Sequence, residues 1–279
     1  MTIDGLLAEA VAGLTATSDS PRLDAELLLA ETLGRNRTWL RTWPEVTVEA
    51  PLATHFREQV ARRAAGEPVA YLLGRTGFHA IDLAVTPATL IPRPETEELV
   101  ERALELGGAA GADRARVLDI GTGSGAIALA LAAARPNWTV TATDNSSAAL
   151  AVAAANAAEL GLERVELHAG DLFAGLTGPW ELIVSNPPYI AADDPHLGAG
   201  DVGFEPRGAL AAGPDGLDCL RRLAAEGPAH LVPGGWLLVE HGWDQGAAVP
   251  DLFTEAGLAE VATHRDLAGQ ERFTEGRRP

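Results

Sequence analysis

From Ile3 to about Gly66 apolar residues recur at helical spacing, as in Leu23, Leu27, Leu28 and Leu33, and Asp19 or Ser20 before Pro21 offers an N-cap and first turn. This pattern predicts three or four short helices forming a small helical domain over 1–73. Between Gly66 and Pro94 the periodicity gives way to Gly, Pro and extended residues, which reads as a connector with a short hairpin over 74–93. Beyond Pro94 helices and strands alternate. Helices are predicted over 95–106, 124–134, 146–160 and 216–230, and strands over 116–120, 139–143, 165–168, 182–185 and 236–240. Such alternation implies an α/β domain over 94–279 with a mainly parallel sheet covered by helices on both faces.

Composition narrows the chemistry. A chain of 279 residues with 47% hydrophobic content has enough material for a full core. The single cysteine, Cys219, excludes an internal disulfide framework and a cysteine-based metal cluster, so no metal is expected and a reducing cytoplasm is the natural setting. The N-terminal stretch carries Asp4 where a signal peptide would carry basic residues, and no apolar run approaches bilayer length, so no membrane association is expected. All basic residues are arginine. The formal charge of −18 opposes the basic face that wraps nucleic acid, although a local arginine patch remains compatible with it.

The candidate chemistry sits at strand ends. Val117-Leu118-Asp119-Ile120-Gly121-Thr122-Gly123-Ser124-Gly125 places a glycine-rich turn between a buried strand and a helix. With Ala126 the run also satisfies a relaxed dinucleotide fingerprint, so a nicotinamide cofactor stays open on the loop alone. Asp119 counts against it: a carboxylate before the loop serves a ligand with an ammonium group, such as S-adenosylmethionine, better than a pyrophosphate. Asp144, ending the next strand, suits ribose hydroxyls in either cofactor. Asp171 and Leu172 end the third strand, where a carboxylate and an apolar neighbour can meet an adenine amine and ring.

The fourth strand ends in Ser185-Asn186-Pro187-Pro188-Tyr189-Ile190. Each proline removes a donor and fixes φ, so the turn is stiff and its carbonyls are not recruited into a helix. The Asn186 side-chain carbonyl and the Pro187 backbone carbonyl form two acceptors that match the two N–H bonds of a planar NH₂ group, and Tyr189 offers a flat face for it. Holding both N–H bonds aims the nitrogen lone pair at a sulfonium methyl, which makes Asn186, Pro187 and Tyr189 the candidate catalytic residues.

With these motifs the chain resembles the class I S-adenosylmethionine-dependent methyltransferases that modify NH₂-type nitrogens, which implies a Rossmann-like, mainly parallel seven-stranded sheet. The segment Leu90-Ile91-Pro92-Arg93-Pro94-Glu95-Thr96-Glu97 and the run Val239-Glu240-His241-Gly242-Trp243 sharpen this to a resemblance to the HemK/PrmC family, which methylates the glutamine of the Gly-Gly-Gln loop in class 1 peptide-chain release factors. The resemblance implies that Gly121, Thr122, Gly123, Ser124, Gly125 and Asp144 bind S-adenosylmethionine, and Asp119, Asp171 and Leu172 join them as cofactor-binding candidates on the strand-end chemistry above. It implies that Asn186 touches cofactor and substrate, and that Pro187, Pro188 and Tyr189 complete the glutamine pocket with Thr96 and Glu97 nearby. Phe173 is the other candidate for the adenine ring. Glu240, His241 and Trp243 receive no catalytic role. A nucleic-acid amino-methyltransferase is the competing reading, and the acidity and the non-basic helical domain weigh against it.

Overall fold

The computed structural model describes residues 1–109 and 114–279 of the chain, which divides into two units. One holds Met1–Arg75 with Gly198–Phe204, the other Thr76–Leu197 with Glu205–Pro279.

The first unit contains five helices: α1 (Ile3–Leu14), α2 (Pro21–Leu33), α3 (Arg37–Thr42), α4 (Ala50–Ala64) and α5 (Val69–Leu73). The fifth is too short to leave a periodic signature, since Gly74 in the left-handed region stops it after five residues. Ile3, Leu6, Leu28, Leu29, Leu40 and Phe56 form its core. The burial of α2 departs from the pattern expected of its leucines. Leu23 is exposed and Leu27 and Leu33 are half-buried, while Asp24 and Glu26 point inward. Arginines explain the inversion, because a buried carboxylate persists only when paired. Glu26 accepts from Arg22 at 2.8 Å and is also held by Arg37 and Arg41, and Asp24 accepts from Arg63 at 2.7 Å. Ser20 occupies the N-cap position of α2 but its hydroxyl donates to Asp24 instead of capping.

Next along the chain comes a hairpin, β1 (Arg75–Phe78) and β2 (Ile81–Ala84), whose residues from Thr76 on belong to the second unit, followed by α6 (Pro94–Ala109). Then come β3 (Arg116–Ile120), α7 (Ala126–Ala134), β4 (Thr139–Asp144), α8 (Ser147–Glu159), β5 (Glu166–Ala169) and β6 (Trp180–Ser185). The chain closes with α9 (Asp218–His230), β7 (Leu231–Glu240), α10 (Ala248–Glu255), β8 (Ala259–Arg265) and β9 (Glu271–Arg277). The seven-stranded sheet has the order β5-β4-β3-β6-β7-β9-β8. Its first five strands are parallel, β9 runs antiparallel to β7, and β8 antiparallel to β9.

Alternation along the strands loads both faces. Val117, Leu182 and Val184 face one core with Leu99, Leu129 and Leu131, whereas Leu118, Ile183 and Val239 face the other with Leu220, Leu223 and Phe253. Each such side chain withdraws about 1.5–3 kcal/mol worth of apolar surface from water. Register then sets the site. Ile120 lies opposite Thr143 on one side and Ser185 on the other, and Ser185 lies opposite Val239, so the carboxyl ends of β3, β4, β6 and β7 come level on one rim.

Between β6 and α9 the chain makes an excursion with three 3₁₀ turns, Pro195–Gly198, Gly200–Phe204 and Arg207–Ala209. Its two limbs are stitched together beyond the fourth strand end: Ile190 N–H donates to Leu210 at 2.8 Å and Ala212 N–H to Ile190 at 2.9 Å. The tip, Gly198–Phe204, belongs to the helical unit, where Asp201 accepts from Arg63 at 2.7 Å.

Candidate active site

The level strand ends open into a cavity of about 360 Å³, within the size range of small-molecule sites. Gly121, Thr122, Gly123 and Ser124 form one wall, and Asp144, Asp171 and Leu172 continue it. Asn186, Pro187, Pro188 and Thr96 face the same space. Asp119, Gly125, Tyr189 and Glu97 do not line it. Phe173 is also turned away: it is buried and stacks on His230 with ring centroids 4.4 Å apart, leaving Leu172 as the apolar wall at the third strand end. Leu172 adopts φ 51°, a left-handed conformation costly for a branched side chain, and this strain turns the backbone at the rim.

The glycine-rich turn is held from behind. Asp119 is fully buried; its Oδ2 accepts from the Thr122 hydroxyl at 2.7 Å and from Ala128 N–H at 3.1 Å. Burial, aided by the nearby Asp144 charge and opposed by these two bonds, pushes the Asp119 carboxyl up to about 7. Its Oδ1 is buried without a partner, an acceptor in want of a donor. Gly125 begins α7 at φ 87°, where a side chain would lie 2.8 Å from Leu129 Cδ1. Asn156 of α8 anchors the loop from a third side, since its amide donates to Ser124 and Ala84 carbonyls and accepts from Ala84 N–H. Its isolated position in an alanine-rich helix carries no motif, which is why sequence reading misses it.

Asp144 is oriented by backbone alone: Oδ2 accepts from Gly123 N–H at 2.9 Å and Oδ1 from Ser146 N–H at 2.8 Å. Each oxygen keeps a lone pair for a further donor, the arrangement a ribose diol requires. Asp171 is exposed and meets Arg222 through both oxygens, at 3.1 and 2.9 Å, so its charge is shared before any ligand arrives.

At the fourth strand end the amide of Asn186 is fixed. Its Nδ2 donates to the Thr96 hydroxyl at 3.1 Å, and that hydroxyl donates to Glu240 Oε2 at 2.6 Å. Tyr189 donates its phenol to Glu240 Oε1 at 3.2 Å, and its ring packs into the core instead of facing the cavity. Thr96 is buried within this chain of bonds. Among the described residues nothing donates to Asn186 Oδ1 or to the Pro187 carbonyl, so two acceptors remain unused on residues that line the cavity. Glu240 is the member that sequence reading leaves without a role. It is fully buried, and burial, with Glu95 nearby, pushes its carboxyl up to about 7 against the pull of Thr96, Arg272 and Tyr189. His241 is buried and satisfied between Gly242 and Thr274, burial lowering its pKa, whereas Trp243 is exposed. A further acid, Glu205, is buried and accepts from Ile91 N–H and from Arg93, fastening the segment before α6 to the excursion.

The chain that builds this site is similar to known proteins. Residues 5–74 fit the family model described as the PrmC N-terminal domain, and residues 103–201 fit the methyltransferase small domain. The release factor glutamine methyltransferase of Pseudomonas aeruginosa is 55% identical over 93% of this chain and 93% of its own length. The chain belongs to the release factor glutamine methyltransferase family. Another member of the family, from Xylella fastidiosa, is 54% identical over 95% of this chain and 96% of its own. The fold is shared more widely: the crystal structure of a methyltransferase from Pyrococcus furiosus superposes with a TM-score of 0.55 at 20% identity, over 79% of this chain and 98% of that one. The seven-stranded, mainly parallel methyltransferase sheet expected from the motifs is therefore the fold of this family member.

Proposed function

We propose that this protein transfers the methyl group of S-adenosylmethionine to the side-chain amide nitrogen of the glutamine in the Gly-Gly-Gln motif of class 1 peptide-chain release factors. One observation carries the reading at the level of chemistry: the Asn186 amide is pinned through Nδ2 while its Oδ1, and the Pro187 carbonyl beside it, accept nothing from the described residues. Family membership at 55% identity supports the choice of glutamine over a nucleobase.

S-adenosylmethionine supplies an electrophilic methyl on a sulfonium, and the residues present suit it. The buried, unpartnered Asp119 Oδ1 behind the loop fits a ligand carrying an ammonium group, and Asp144 with its two backbone-held oxygens fits the ribose. Gly121 through Ser124 and Leu172 form the wall against which the adenosine would rest. At the acceptor end, Asn186 Oδ1 and the Pro187 carbonyl take the two N–H bonds of the substrate amide. An amide nitrogen is a poor nucleophile because its lone pair is delocalised. Holding both N–H bonds fixes the plane of the NH₂ group and directs the lone pair; such positioning can contribute about 7–11 kcal/mol. The nitrogen becomes acidic as its bond to carbon forms, so no strong base is required beforehand. Asp171 contributes to the adenine end through the charge it shares with Arg222. The helical unit docks the protein substrate, and the reaction takes place in the cytoplasm. Among the described residues no helix is long and apolar enough to cross a membrane.

The test is direct. Purified protein incubated with labelled S-adenosylmethionine and an unmodified release factor is expected to label one glutamine, located by peptide mass spectrometry. Label on DNA or RNA in place of the release factor would reject the proposal.

A further inference from the structure

We infer that Glu240 is a positioning residue for Asn186, acting through the Thr96 hydroxyl to fix which face of the Asn186 amide meets the substrate. The inference rests on the proposed function and assigns a role to a side chain outside the cavity wall. Proton count decides which end of the amide bonds to Thr96. An ionised carboxylate only accepts, so Glu240 Oε2 takes the single hydroxyl proton of Thr96 at 2.6 Å. The Thr96 oxygen is then left with lone pairs alone on its other side. Of the two ends of the Asn186 amide, only Nδ2 can bond to it, as it does at 3.1 Å. The opposite flip would set Oδ1 against those lone pairs and offer an NH₂ to a substrate NH₂, donor against donor. The carboxylate thus dictates, one hydroxyl away, that Oδ1 is the end left for substrate.

The same carboxylate holds the turn at a second point, since Tyr189, three residues beyond Asn186, donates to Oε1. Glu240 ends β7, Thr96 lies in the first turn of α6, and Asn186 and Tyr189 follow β6, so three elements distant in sequence meet on one buried acid. The groups facing it are Thr96 and Glu95 from α6, Tyr189 from the turn, and Arg272 from β9, itself paired with Asp266 at 3.0 Å. Arg93 bears on Tyr189. When Glu240 takes up a proton it can donate to Thr96, which frees the Thr96 proton for Asn186 and removes the preference between flips. With the Glu240 carboxyl pushed up to about 7, turnover is expected to rise with pH through that value.

The experiment compares Thr96→Val with Thr96→Ser and follows Glu240→Gln across pH. Thr96→Val keeps the volume and removes the relay; kcat on release factor is expected to fall by about 10²-fold with S-adenosylmethionine affinity retained. Thr96→Ser, which keeps the hydroxyl, is expected to recover most of that turnover. In Glu240→Gln the rise of kcat through neutral pH is expected to vanish. Wild-type kcat in Thr96→Val, or an unchanged pH profile in Glu240→Gln, overturns the relay. Wild-type methylation of the release factor tests the proposed function separately. Should wild type leave that substrate unmodified, exchange of the Asn186 side-chain amide protons by NMR still tests the relay, and equal exchange in wild type and Thr96→Val overturns it.

Discussion

Asn186 and Asp144 do different work with similar short side chains, and the difference lies in what each has left over. Asn186 spends its donor on Thr96 and keeps an acceptor, so Asn186→Ala is expected to lower kcat by at least about 10²-fold while cofactor binding measured by calorimetry stays close to wild type. Asp144 spends one lone pair of each oxygen on backbone N–H groups and keeps the others. Asp144→Ala is expected to weaken S-adenosylmethionine binding roughly 10- to 100-fold, through lost ribose bonds and a freed Gly123. Both residues were readable as strand-end polar groups. Glu240 was not, because its position after a buried strand looks the same whether it caps the strand or polarises a relay; only the meeting of Thr96, Tyr189 and Glu240 distinguishes the two.

At the scale of elements, the β3-to-α7 turn shows how a short glycine run is made indispensable by its surroundings. Gly125 at φ 87° lies so close to Leu129 that Gly125→Ala meets both backbone strain and a clash. A loss of about 1–3 kcal/mol is expected, read as a lower thermal midpoint together with weaker cofactor binding. From α6 to β7 the element order follows from the hydrophobic periods, and β3 falls over the residues its pattern predicts, whereas β7 begins five residues earlier than expected and α10, β8 and β9 are not placed by those periods. The period could not show the α2 inversion, because it scores Asp24 and Glu26 as solvent-facing when Arg22, one turn earlier in the helix, and Arg37, Arg41 and Arg63 from other helices neutralise them. Against the upward push of burial, Arg41, Arg22 and Arg37 hold the Glu26 carboxyl down to about 2. Glu26→Gln leaves three guanidinium groups converging on a neutral amide and is expected to destabilise the helical unit by about 1–3 kcal/mol in chemical denaturation.

For the whole molecule, carboxylates displaced upward and others displaced downward give stability a maximum in pH. Asp119 and Glu240 titrate at about 7 in the folded protein, above their unfolded values, so the folded state binds protons more tightly and stability falls as pH rises from the ordinary carboxylate range through about 7. Buried Glu26 is held down to about 2 by its arginines and Asp266 is lowered by the Gln270 N–H and Arg272, with exposed Asp215 adding less, so their contribution is present above the ordinary range and is lost as pH falls below it. The net charge of −18 at neutral pH adds self-repulsion on the alkaline side. The thermal midpoint is therefore expected to peak in mildly acidic solution and decline toward pH 8, and Asp119→Asn is expected to flatten that decline. An equally steep decline in the variant would show that Asp119 does not carry it.

The sequence by itself determined the layer order, the parallel strand core, the glycine-rich turn and the asparagine-proline-proline-tyrosine turn, because each depends on residues close together in the chain: a period of two or 3.6, a glycine where φ turns positive, a proline where a donor must be missing. Tertiary structure alone decided what those turns present. Register levelled the ends of β3, β4 and β6 so that Gly121 and Asn186 share one cavity, packing withdrew Tyr189 and Phe173 from it, and the meeting of three elements made Glu240 the far end of the Asn186 hydrogen-bond chain. Such outcomes depend on the direction of a hydrogen bond and the loss of water around a charge, and both are set by groups dozens to more than a hundred residues away.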